Sequence, residues 1–83
     1  MDDKLYSVTS PVMGTFYRSA SPGEPSFVEV GQAIKVSDIV CVIESMKIFT
    51  TLRSEHAGIV KQILVENEEP VMKNQPLIIL EKN

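Results

Sequence analysis

The sequence has one cysteine, Cys41, and so no second thiol with which to close an internal disulfide. A chain of that kind suits a reducing compartment. No apolar run approaches the roughly 20 residues that a membrane-spanning helix needs. No basic start followed by an apolar stretch marks a signal peptide. Positive charge is scarce, with eight Lys and Arg against eleven Asp and Glu, for a formal net charge of −3 and a pI near 5.0. Those eight form no basic stripe with interleaved aromatics, which argues against a nucleic-acid partner, and nothing points to a membrane. Helical periodicity is missing throughout. With 83 residues there is no room for an active-site cleft between two lobes, so a complete enzyme is not expected. What remains is a single small domain over residues 1–83, all-β, with the 43% hydrophobic content of a globular chain.

The residues that are present centre on a strand-forming run. From Val40 to Arg53 there is no Gly, Pro, Asn or Asp, and Val40, Val42, Ile43, Ile48, Phe49, Thr50 and Thr51 are β-branched or aromatic. One straight strand of that length would reach about 46 Å, whereas a domain of this size is about 30 Å across. The run must therefore fold back on itself. Only Glu44-Ser45 and Lys47 interrupt its apolar character, which places the reversal at Met46-Lys47. Tight hairpins favour Asn-Gly or other Gly-containing pairs because their central residues take positive φ, so a Met-Lys turn breaks the local rule. Such breaks concentrate at functional positions. The expected result is an exposed lysine held at a hairpin tip.

Glu44-Ser45-Met46-Lys47-Ile48 resembles the Glu-Ala-Met-Lys-Met signature of biotinyl domains, in which the lysine after the methionine receives biotin. Ser45 stands where Ala is usual and Ile48 where Met is usual, both changes of similar size. Lipoyl domains share the fold but typically carry Asp or another small polar residue before their lysine, so Met46 favours biotin. The resemblance implies a flattened β-barrel, a barrel-sandwich hybrid of two antiparallel four-stranded sheets.

In chain order, Met1-Asp2-Asp3-Lys4 is polar and expected to fray. Leu5–Thr9 alternates as a strand, Val12–Tyr17 resumes with a bend at Gly14, and Ser19–Ser26 is the most loop-like segment, with two prolines, a glycine and three serines. Phe27–Val30 reads as a strand, Gly31-Gln32 as a turn, and Ala33–Asp38 leads into the central run. Ser54–Gly58 is a turn, Ile59–Val65 a strand, Glu66–Glu69 a charged turn and Leu77–Leu80 the last strand.

The second half repeats the first. Ser10–Phe16 matches Ser54–Val60 at an offset of 44, and Ala33–Glu44 matches Pro70–Glu81 at an offset of 37. The difference of seven residues is close to the length of the Ser19–Ser26 loop, so an internal duplication with one insertion is visible in the sequence alone. Under a pseudo-twofold, the turn after Glu44 corresponds to the C-terminus after Glu81. The lysine and the chain ends should then lie at opposite poles.

The insertion, with Gly14–Arg18 before it and Phe27–Gln32 after it, resembles the thumb of the biotin carboxyl carrier proteins of multisubunit acetyl-CoA carboxylases. That resemblance spans about Val8 to Glu81. It implies biotin amide-linked to Lys47, biotin protein ligase, biotin carboxylase and carboxyltransferase as partners, and a bacterial cytoplasmic or plastid-stromal setting. It also implies ligase recognition through Met46. The thumb could be a tolerated surface insertion, or it could contact the biotin ring with the Ser19 or Ser21 hydroxyl bonding the ureido group. Glu44 could steer the lysine by charge or be a solvated strand-end carboxylate. A lipoyl carrier, a biotinyl domain of another carboxylase and an unmodified interaction domain are the competing readings. Cys41, among Val40, Val42 and Ile43, is expected to be a buried inert thiol. His56 has no catalytic or metal-ligating spacing to a partner and reads as a turn residue. Glu66, Glu68 and Glu69 read as a solvated turn.

Overall fold

The chain is described by a computed structural model over residues 4–83, so the polar start at Met1-Asp2-Asp3 lies outside the described residues. Eight strands form: β1 (Leu5–Thr9), β2 (Gly14–Tyr17), β3 (Ala33–Ile34), β4 (Ile39–Ser45), β5 (Ile48–Arg53), β6 (Gly58–Ile63), β7 (Pro70–Val71) and β8 (Pro76–Lys82). They assemble into two four-stranded antiparallel sheets, ordered β1-β8-β6-β3 and β5-β4-β2-β7, that pack face to face without closing. Among the described residues there is no helix, and therefore none long and apolar enough to cross a membrane.

The duplication read from the sequence is carried into three dimensions. The core pairs Phe16 with Val60 at the first offset. At the second it pairs Val28 with Val65, Ile34 with Val71, Val40 with Leu77, Cys41 with Ile78 and Ile43 with Leu80, every one of them buried. Cys41 thus fills an isoleucine's place, and burial pushes its thiol up to about 12. That keeps it protonated and unreactive at neutral pH. Polar details repeat as well. The buried Ser10 and Ser54 hydroxyls donate to the carbonyls of Val12 and His56. Positive φ recurs at Gly31 and Glu68 and at Ser37 and Asn74. Phe16 and Val28 bracket the insertion, since twelve residues separate them where five separate Val60 from Val65.

Phe27–Val30, expected as a strand, is not one. Phe27 N–H donates to the Arg18 carbonyl and Ser19 bridges Ser26, which closes the inserted loop at its base. Val28 drops into the core, after which Glu29 N–H is capped by Gln32 Oε1 as the chain turns through Gly31. The repeat mate behaves the same way. The strand expected over Ile59–Val65 runs Gly58–Ile63, Val65 is buried, and Glu66 N–H is capped by Glu69 Oε1. The apolar residues in both segments report burial under a turn, a signal that period-2 reading takes for pairing. Val12 and Met13, placed in the second strand by the sequence, precede it and are exposed.

Antiparallel geometry also separates the poles. Asn83 N–H bonds the Ala57 carbonyl, and Ser54, three residues earlier, donates to Asp38 at the start of β4. From there the seven residues of β4 run about 20 Å to the hairpin tip. The C-terminus sits at the base of the β4–β5 hairpin, and Lys47 at its far end.

Candidate functional site

At the tip, Ser45 pairs with Ile48 and the reversal takes two residues, Met46 at φ 53° and Lys47 at φ 67°. This is the two-residue hairpin turn that strand twist favours, built from residues for which left-handed backbone costs about 1 kcal/mol or more apiece. One side chain offsets part of that cost: Glu44 Oε2 accepts the Lys47 backbone N–H at 2.9 Å. Glu44 therefore engages the lysine's backbone and holds the turn. Among the described residues no hydrogen bond or ion pair engages Lys47 Nζ, and the side chain is exposed. Met46 stands 90% exposed beside it, Ile48 is exposed on β5, and Ser45 is half-buried in the ladder. The product is a primary amine on a stiff two-stranded arm.

Behind the tip, the inserted loop folds over the outer face of the second sheet. Tyr17 pairs with Val42 there, and Phe49 lies across from Glu44. The loop and this face enclose a cleft of about 230 Å³ lined by Tyr17, Ser19, Ala20, Ser21, Pro22, Val42, Phe49, Asn67 and Glu68. Ser19 and Ser21 both line it. The Ser19 hydroxyl donates within the loop to the Ser21 carbonyl at 3.2 Å, leaving its lone pairs free to accept. Asn67 was not singled out by sequence. Its Oδ1 accepts the Arg18 N–H at 2.8 Å and ties the acidic turn to the base of the loop. A signal did exist, because Glu66–Glu69 is the repeat mate of Glu29–Gln32, the turn that follows the insertion.

The other singled-out groups lie elsewhere. His56 sits in the turn at the opposite pole, its N–H on Ser54 Oγ and its ring 4.4 Å from that of Tyr6. The Tyr6 hydroxyl donates to Glu55, and its pKa is raised by burial and by that carboxylate. Among the described residues no cluster of His, Cys, Asp and Glu could hold a metal ion.

A free lysine on a two-residue turn, in a duplicated pair of four-stranded sheets, is the arrangement expected of a carrier domain. The family described as "Biotin-requiring enzyme", with biotin and lipoyl in its name, matches residues 6–80. The chain belongs to the biotin/lipoyl-attachment family.

Within that family, this domain is 50% identical over 78 residues to the biotin carboxyl carrier protein of acetyl-CoA carboxylase from Nostoc sp., covering 94% of this chain and 43% of that protein. The protein of the same name from Pseudomonas aeruginosa is 49% identical over 88% of this chain and 47% of its own length. A chloroplastic one from Arabidopsis thaliana is 40% identical over 93% of this chain and 28% of its own. The chain thus spans less than half the length of these relatives. Its fold is shared with a single-chain, multi-domain long-chain acyl-CoA carboxylase (TM-score 0.83, 17% identity, all of this chain and 8% of that one). The Kluyveromyces lactis urea carboxylase is similar too, at TM-score 0.77 and 22% identity over 96% of this chain and 6% of that one.

Proposed function

We propose that Lys47 carries biotin and that the domain is the carrier part of an acetyl-CoA carboxylase, serving a biotin carboxylase and a carboxyltransferase in turn and contributing no catalytic group of its own. The observation that carries this is the unpartnered Lys47 amine on a positive-φ turn whose backbone is tied down by Glu44. Attachment, by a biotin protein ligase using ATP, joins Nζ to the biotin carboxyl as an amide. The Lys47 ammonium loses two protons, one to become the nucleophilic amine and one as the amide forms, and the group that activated the carboxyl departs. The formal charge of the chain goes from −3 to −4. When bound, biotin supplies a ureido nitrogen that can hold a carboxyl group.

The chain's own residues do the rest. The β4–β5 ladder holds the attachment point away from the pole where the C-terminus lies, so a tether there leaves the tip unobstructed. Tethering replaces bulk concentration by an effective concentration set by the tether's reach. The residues fit such a group: the amine is free, and the neighbouring cleft offers Tyr17, Val42 and Phe49 to a ring and the Ser19 and Ser21 oxygens to a polar edge. At about 230 Å³ it is smaller than the roughly 300–1,000 Å³ of a ligand-enclosing pocket, so it would shelter the ring transiently. The bacterial cytoplasm or the plastid stroma is the setting this reading requires.

Intact-mass spectrometry before and after incubation with biotin, ATP and a biotin protein ligase, followed by peptide mapping, tests the assignment. The expected result is one biotinyl group per chain, on Lys47. A folded chain that gains none, or gains lipoyl from lipoate ligase instead, would overturn it. For the thumb, deleting residues 19–26 should abolish biotin-dependent amide shifts at Tyr17, Phe49 and Asn67 in NMR spectra of the biotinylated domain. Shifts that persist in the deletion variant would remove the cleft from the mechanism.

A further inference from the structure

The strand order β5-β4-β2-β7 brings four strand ends to one end of the second sheet: the start of β5, the end of β4, the start of β2 and the end of β7. The residues there are Ile48, Met46, Met13, just before β2, and Met72, just after β7. Continuing the Gly14–Val71 pairing by one residue sets Met13 across from Met72. Continuing the Thr15–Glu44 pairing by two sets it beside Met46. All four side chains are exposed, at 69%, 90%, 61% and 62% in that order. Three interstrand steps make the row about 14 Å long, and Lys47 rises from it on a four-carbon stem.

The duplication provides an internal control. At the matching end of the other sheet, Ile48, Met46, Met13 and Met72 are replaced by Lys4, Asn83, Ala57 and Lys35. The same fold closes the same strand ends there with charged, polar or small residues, so folding does not demand large apolar side chains at these positions. Of the two sets of matched positions, the large apolar one is the set around the lysine. Contiguous exposed apolar side chains mark interaction sites, and methionine's unbranched, polarizable chain adapts to a partner surface.

We infer that Met13 and Met72, together with Met46 and Ile48, form an apolar docking face read by the enzyme that acylates Lys47. This rests on Lys47 being the acylated residue. Met46 and Ile48 flank Lys47 at the tip and Met13 and Met72 extend the row from them, so an active site that closes on Nζ meets the row. The face is thus continuous with the reaction site, and the complementary surface on the modifying enzyme is an uncharged, apolar rim around its entrance. Met13 and Met72 lie outside the five-residue signature and add to it a second recognition element drawn from two other connections.

The test exchanges these residues for those the other half carries: Met13→Ala with Met72→Lys in the same chain, and Lys35→Met with Ala57→Met as the reciprocal control. Acylation by a biotin protein ligase with biotin and ATP is followed at varied chain concentration, alongside thermal unfolding. The expected result is a KM raised about tenfold, kcat within about twofold and an unchanged unfolding midpoint, with the control behaving as the parent. An unchanged KM, or a loss confined to kcat, would overturn the docking face. Failure of the unsubstituted chain to accept biotin would overturn the Lys47 assignment itself, and it is seen before any substitution is made.

Discussion

Lys47→Arg is expected to abolish biotin attachment completely while leaving the domain folded. Arginine keeps the charge and nearly the length of lysine, but its guanidinium stays protonated and is no acyl acceptor. The lysine side chain makes no bond that the fold depends on, since the turn is held through its backbone N–H by Glu44. An exposed substitution of this kind usually changes stability by no more than about 0.5 kcal/mol. Lys35, Lys61 and Lys73 remain exposed in the variant. They make the experiment sharp, because chemical accessibility alone would let one of them substitute. Only Lys47 stands on a positive-φ hairpin tip beside Met46 and Ile48. Any biotin mass gain by the Arg variant under ligase conditions would show that the tip geometry is not what is recognised.

Gly58→Ala and Gly14→Ala are each expected to cost about 3 kcal/mol, the upper part of the range for overpacking a core. These glycines occupy equivalent places in the two repeats, where strands meet backbone to backbone. A Cβ on Gly14 would overlap the Glu44 carbonyl oxygen and come within 2.9 Å of Ile43 Cγ2. One on Gly58 would overlap the Glu81 carbonyl oxygen and lie 3.0 Å from Lys82 Cα. No rotamer change relieves a clash with backbone, so the paired strands themselves must separate. At roughly 4–8 °C per kcal/mol for a domain of this size, the midpoint should fall by about 12–24 °C. The two differ in function. Gly14 abuts β4 at Glu44, so its replacement should also slow acylation at temperatures where the domain remains folded. Gly58 lies at the opposite pole, and its replacement should not. A loss below about 1 kcal/mol in either variant would mean that the close approach is not rigid.

Much of this was legible in the linear chain. A strand-forming run longer than the domain is wide had to reverse, and Met46-Lys47 was the place where its apolar character broke. The structure puts both residues in left-handed backbone there. The repeat was legible because two offsets, 44 and 37, preserve the order of apolar and turn residues, and the same offsets pair the core positions from Phe16–Val60 to Ile43–Leu80. The Phe27–Val30 segment was misread because burial beneath a turn and burial within a ladder leave the same apolar trace.

Local spacing and chain length by themselves determined the all-β class, the hairpin, the duplication and the exposed lysine, since each follows from residues near one another or from a fixed offset. Tertiary structure alone decided what surrounds that lysine. Met13 lies 34 residues before Lys47 and Met72 lies 25 after it. Nothing in a linear chain sets such residues side by side until antiparallel pairing of β4 with β2, and of β2 with β7, brings their ends to the same edge.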